Sequence, residues 1–201
     1  YPAQFMAATM SSDMDKTDKV VTFIDECRAM KLQLLPPDVN HGRFQFSVDN
    51  DGSVIYGLGA IKGLGEGPVQ SIIESREEGG LFTDLFDFCA RVDSRKANKR
   101  ALEALIRSGA LDAIGPQGDV GYKRAVMYVS MDEAIKKAEQ EARNINSGMT
   151  DLFASNGSNH TSTDPYADYL QTRPLSVRER LNGEKETLGL YLTGHPIDEY
   201  A

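Results

Sequence analysis

A mainly α-helical fold with a small β-hairpin is predicted by three features of this sequence. Apolar residues recur at helix spacing along most of the chain, as in Val20, Ile24 and Cys27, and again in Leu102, Leu105 and Ile106. Two strand-like runs, Arg43 to Val48 and Ser53 to Leu58, flank Asp49-Asn50-Asp51-Gly52, a turn sequence suited to a hairpin. Between those runs and the next helix lies Ile61 to Val69, with glycine at 63, 65 and 67 and proline at 68.

That glycine stretch organises the reading. Alternate glycines allow backbone turns with positive φ and strip side chains from one surface. Pro68, directly after the last glycine, suits the first position of a helix, where a missing N–H costs nothing. A glycine hairpin feeding a helix N-terminus is a natural seat for a phosphate. A P-loop would need Gly-Lys-Ser/Thr after the last glycine, and a dinucleotide fingerprint a different spacing; this chain has neither. The pattern resembles the helix-hairpin-helix motif, which holds nucleic-acid backbones without reading sequence. A second unit, Ala97 to Leu111, repeats it in degenerate form, with Gly109 standing where Gly63 stood. The fold expected is a tandem helix-hairpin-helix module flanked by helices and a disordered polar loop.

The elements follow in order. Residues 3 to 11 read as a short helix and Lys16 to Met30 as a longer one, with Val20, Val21, Phe23, Ile24, Cys27 and Met30 on its apolar face. Leu35-Pro36-Pro37-Asp38 breaks the pattern. After the hairpin and the glycines, a helix runs from about Pro68 to Glu78. Thr83-Asp84 caps another that turns Leu85, Phe86 and Phe88 inward. Ala97 to Arg107 is helical. So is Tyr122 to Arg143, with Val126, Met127, Val129, Met131, Ala134, Ile135 and Ala138 as buried positions. Asn144 to Pro174 is polar and expected to be largely unstructured. A last helix starts after Ser176.

Composition narrows function. The 201 residues are 40% hydrophobic and 26% charged, with net charge −8. No apolar run reaches membrane-spanning length, and no membrane partner is expected. Cys27 and Cys89 stand far apart and read as free thiols of a reducing compartment, while the three histidines are scattered, so no metal site is expected. Cations concentrate at Arg91, Arg95, Lys96, Lys99, Arg100 and Arg107 against only Asp93 and Glu103. A basic patch in an acidic chain suggests a confined footprint. The chain opens on Tyr1-Pro2 and reads as a segment of something longer.

Four stretches make a resemblance specific: Tyr1 to Ala7, Leu35 to Asn40, Tyr56 to Gly63, and Leu188 to Pro196. In this order and at these separations they resemble the catalytic α subunit family of bacterial DNA polymerase III, everywhere except the stretch from Tyr122 to Arg173. The resemblance implies that residues 1–50 close the fingers domain and 51–175 form the helix-hairpin-helix DNA-binding and clamp-binding region, with a long helix at 116–143 and a flexible loop at 144–175. Residues 176–201 would lead toward an OB domain. It implies a DNA-directed DNA polymerase, a nucleotidyltransferase, whose Mg2+-binding carboxylates lie upstream of Tyr1; no catalytic residue and no cofactor is assigned to this segment. Its surface acids, such as Asp13, Asp15 and Asp18, are read as solvated.

For binding, the resemblance implies that amides around Gly63, Gly65 and Gly67 grip duplex primer-template DNA, with Lys62 adding charge. Lys96, Lys99, Arg100 and Arg107, beside Gly109, would take the neighbouring strand. Met149-Thr150-Asp151-Leu152-Phe153 falls where the family carries a peptide that docks the sliding clamp, with Met149 in place of the usual leading Gln. Other holoenzyme subunits would be partners through the whole polymerase, in the bacterial cytoplasm. The alternative is an independent helix-hairpin-helix DNA repair protein, for which Asp112 is the one available acid after the second hairpin.

Overall fold

The structure, a computed structural model, describes residues 1–146 and 164–196. Helices α1 (Pro2–Ser12) and α2 (Thr17–Ala29) come first. Ala3, Met6, Ala7 and Met10 recur three and four apart on α1 and are buried together. On α2 the buried positions are Val20, Ile24 and Cys27. Met30, expected on that face, lies just beyond the helix and is exposed.

The predicted hairpin exists, but as part of a three-stranded sheet. Strands β1 (Leu34–Leu35), β2 (Ser47–Val48) and β3 (Val54–Ile55) run in the order β1-β3-β2. β2 and β3 are antiparallel, and Asp49 fixes their turn by accepting from the amides of Asp51 and Ser53. β1 is the unforeseen member and pairs parallel to β3. The amides of Val54 and Tyr56 donate to the carbonyls of Gln33 and Leu35. Prolines at 36 and 37 hold the preceding residues extended, a conformation that a strand accepts as readily as a break. Two residues offer no period to read.

Five more helices follow: α3 (Glu66–Gly79), α4 (Leu85–Arg91), α5 (Lys99–Ser108), α6 (Val120–Asn146) and α7 (Val177–Leu188). Their starts are chemically marked. Asp84 accepts from the Asp87 amide, Asn98 from the Ala101 amide, and Ser176 forms a reciprocal capping box with Glu179. α4 lies along α6, and α5 packs against both α6 and α7. A contiguous apolar core runs from Ala3 to Leu190. It takes in Leu102, Leu105 and Ile106 of α5 and Val126, Met127 and Met131 of α6. On α6, Val129 was expected inside but is 48% exposed, because the buried stripe passes through Arg124, Met127 and Met131 instead.

The expectation of an unstructured polar stretch from 144 to 174 needs correcting at both ends. α6 continues to Asn146. Residues 147–163 lie outside the described residues, and from residue 164 the chain packs onto the core around a 3-10 turn at Ala167–Tyr169. Tyr166 is buried: its hydroxyl accepts from the Leu85 amide at 2.8 Å and donates to the Ile114 carbonyl at 3.1 Å. Tyr169 bonds Glu133 on α6. One aromatic side chain can anchor a polar segment whose composition gives no sign of it.

Candidate nucleic-acid interface

The first hairpin is built as its sequence suggests, with one difference. A 3-10 turn at Leu58–Ala60 leads in, and the Leu64 amide closes a turn on the Ile61 carbonyl. Ile61 and Leu64 are buried, which leaves Lys62, Gly63, Gly65, Glu66 and Gly67 facing out. Only Gly63 has positive φ, at 87°. Gly65, the N-cap of α3, is ordinarily extended at φ −79°. A Cβ added at Gly65 or Gly67 would meet nothing within 4 Å. The fold therefore requires glycine at 63 but not at 65 or 67, where the expected backbone constraint is absent and what remains is a bare surface.

That surface carries donors. The amides of Gly63, Gly65, Glu66 and Gly67 have no hydrogen-bond acceptor among the described residues. Three of them belong to the start of a 14-residue helix, whose dipole adds partial positive charge there. Glu66 is the local opponent, since its exposed carboxylate would repel an anion. The hairpin is held from behind. Lys62 donates its amide to the Thr187 carbonyl of α7 at 2.8 Å, and a Cβ at Gly63 would stand 3.9 Å from Ala104 of α5.

The second unit is different in kind. Gly109 ends α5 in a left-handed conformation, φ 85°, and its amide is spent on the carbonyls of Ile106 and Leu105. It is buried rather than presented. Behind it sits Arg124, 1% exposed, which sequence reading passed over. Its Nε and Nη2 donate to Asp112 at 2.9 and 2.7 Å, and Nη1 donates to Glu184 at 2.9 Å. Burial pushes the Asp112 carboxyl up by more than Arg124 lowers it. For Glu184, burial also works upward, but bonds from Thr193, Leu192 and Arg124 outweigh it and hold the carboxyl below its usual range. Asp112 is thus committed to an internal ion pair, which removes the acid that a repair-enzyme reading would use. The one signal for Arg124 was a cation set among Gly121, Ala125, Val126 and Met127.

The basic patch is sorted by its partners. Arg91 donates to the carbonyls of Ser75 and Gly80 and to Asp87, and lies over the Phe82 ring. Arg95 forks onto Asp93. Lys99 pairs with Asp132 at 2.7 Å and Arg107 with Glu186 at 2.5 Å. Lys62, Lys96 and Arg100 are exposed, with no side-chain partner among the described residues. Met149, Thr150, Asp151, Leu152 and Phe153 lie outside the described residues.

Comparison with known proteins bears on this geometry. Residues 31–119 match the model of the helix-hairpin-helix motif, which spans both hairpins. Over 209 residues the chain is 56% identical to DNA polymerase III subunit alpha of Pseudomonas aeruginosa, covering 100% of this chain and 18% of that protein. The corresponding proteins of Vibrio cholerae and Escherichia coli K12 are 50% and 48% identical, again across 100% of this chain and 17% of theirs. The chain is similar, along its whole length, to a segment of DNA polymerase III subunit alpha. It spans less than a fifth of those relatives. The stretch from Tyr122 to Arg173, left out of the resemblance above, is included in that match. Among the described residues no helix is long and apolar enough to cross a membrane, and no three His, Cys, Asp or Glu side chains gather to hold a metal.

Proposed function

We propose that this chain is a non-catalytic segment of a bacterial replicative DNA polymerase, gripping the duplex behind the site of synthesis. The observation that carries this reading is the bare hairpin: four amides without an acceptor among the described residues, three of them at the head of α3, on a surface kept free of side chains at Gly65 and Gly67 though the fold demands glycine at neither. Such a surface admits a phosphate to the backbone and reads no base. Lys62, Lys96 and Arg100 add mobile charge. Lys99 is exposed and Arg107 half-buried, each paired with a surface acid, pairs worth about 0–1 kcal/mol, so a phosphate can displace either acid. Gly109 serves the interface indirectly, by shaping the second turn.

In this reading residues 1–50 complete the fingers, 51–175 bind DNA and clamp, and 176–201 lead to an OB domain. In the same reading the polymerase activity and its Mg2+ belong to parts of the protein outside this chain. Met149 to Phe153 docks the sliding clamp through Leu152 and Phe153, an apolar pair in a polar stretch. The protein works in the cytoplasm with the other holoenzyme subunits.

Titration of the chain with primer-template duplex at several salt concentrations tests the DNA reading. Affinity should fall linearly on a log–log salt plot, alike for unrelated sequences, and Lys62→Glu should weaken all of them equally. Binding that ignores salt or prefers one sequence would sink it. For the clamp, Leu152→Ala combined with Phe153→Ala should abolish binding while duplex affinity is kept.

A further inference from the structure

Two sets of hydrogen bonds, joined through one turn of the α7 backbone, connect the two hairpins. From the second turn, Asp112 accepts from Arg124; Arg124 then donates to Glu184 on α7. One helical turn along α7, Thr187 accepts from the Lys62 amide, beside the glycines of the first hairpin. The same Glu184 carboxylate receives the amides of Leu192 and Thr193 at 2.6 and 3.0 Å and the Thr193 hydroxyl at 2.6 Å. Every polar group of this buried cluster is answered.

A buried ion network of this kind is not an efficient source of stability, because desolvation consumes most of the attraction. What a fully satisfied one supplies is a fixed geometry. The fork matters: a planar guanidinium reaches Asp112 and Glu184 at once, whereas a lysine ammonium is a point charge that serves one of them well.

We propose that Arg124 is a positioning residue, holding the two hairpins in one register so that they engage a single duplex as a unit, with Leu192 and Thr193 setting that register from the far side of Glu184. This rests on the DNA-binding reading above. Rigidly linked contacts raise each other's effective concentration, so losing one costs more than its own bond. When the link loosens, that excess disappears.

The test is a set of duplex titrations at fixed salt. Lys62→Glu is measured in the parent chain, in Arg124→Lys and in Asp112→Asn. In the parent, Lys62→Glu should weaken binding by roughly tenfold or more; in both linkage variants the same change should cost no more than about two- to threefold. A role in folding alone would scale all affinities by the folded fraction and leave the Lys62→Glu ratio untouched, which would overturn the inference. Asp112 is 25% exposed, so Asp112→Asn keeps the test open should Arg124→Lys fail to fold by circular dichroism. If the parent chain binds no duplex at any salt, the DNA reading itself fails, an outcome distinct from an unchanged ratio.

Discussion

Arg124 Nη1 lies 2.9 Å from Glu184 Oε1, and the two side chains are 1% and 0% exposed. An ion pair so fully removed from water has uneven consequences. Arg124→Met leaves Glu184 buried with a charge and one cation fewer, and should cost about 3–5 kcal/mol in chemical denaturation. Combining it with Glu184→Gln should cost less than the sum of the two single changes, because the stranded charge is gone. Strict additivity would mean that the pair is not coupled.

The two acids around Arg124 should respond to pH in opposite senses. Glu184 has its folded pKa below the ordinary 4.5, so its stabilisation is complete above that value and is lost as pH falls through the folded pKa. Asp112 has its folded pKa raised above 3.8, so its contribution is present at lower pH and declines as pH rises through the folded value. In acid denaturation, the stability difference between the parent chain and Glu184→Gln should therefore narrow below pH 4.5. The gap to Asp112→Asn should narrow as pH rises. Parallel curves for both variants would contradict this assignment.

Glycines 63 and 65 should separate folding from binding. Gly63→Ala forces a side chain into φ 87° and should lower stability by about 1–2 kcal/mol. Gly65→Ala meets open space at an ordinary φ and should leave stability unchanged or raise it by about 0.4–1 kcal/mol. It should nonetheless weaken duplex binding, since its methyl group would stand in the way of a phosphate. Full duplex affinity in Gly65→Ala would argue that this amide surface is not the contact.

Tyr166→Phe removes one hydroxyl that serves two backbone groups, the Leu85 amide and the Ile114 carbonyl. Both are buried with it, so the cost should be about 1–3 kcal/mol, read as a fall in Tm. A neutral result would show that residues 164–174 contribute little to holding α4 and the second turn together.

Much of this was legible locally. The helices announced themselves by period, and two of their starts by Asp84 and Ser176, each of which acts on an amide three residues away; the Asn98 cap, which starts α5 at Lys99 rather than Ala97, went unread. The turn of the glycine hairpin likewise rests on its own backbone and on two buried neighbours, Ile61 and Leu64, although its seat on Thr187 of α7 does not. Such features follow from residue identity and spacing, which a sequence displays directly.

What the sequence could not display is which partner each charge and each extended segment finds. Lys99 and Lys96 look alike in a list of cations; only the fold brings Asp132 to one of them. Arg124 looks like a surface residue until Asp112 and Glu184, 12 and 60 positions away, converge on it. β1 becomes a strand because β3 arrives beside it, and Tyr166 becomes core because Leu85 and Ile114 offer it bonds. Propensity and capping are short-range energies, set by neighbours in the chain. Burial and pairing are settled by residues distant in sequence, and those meet only once the helices have packed.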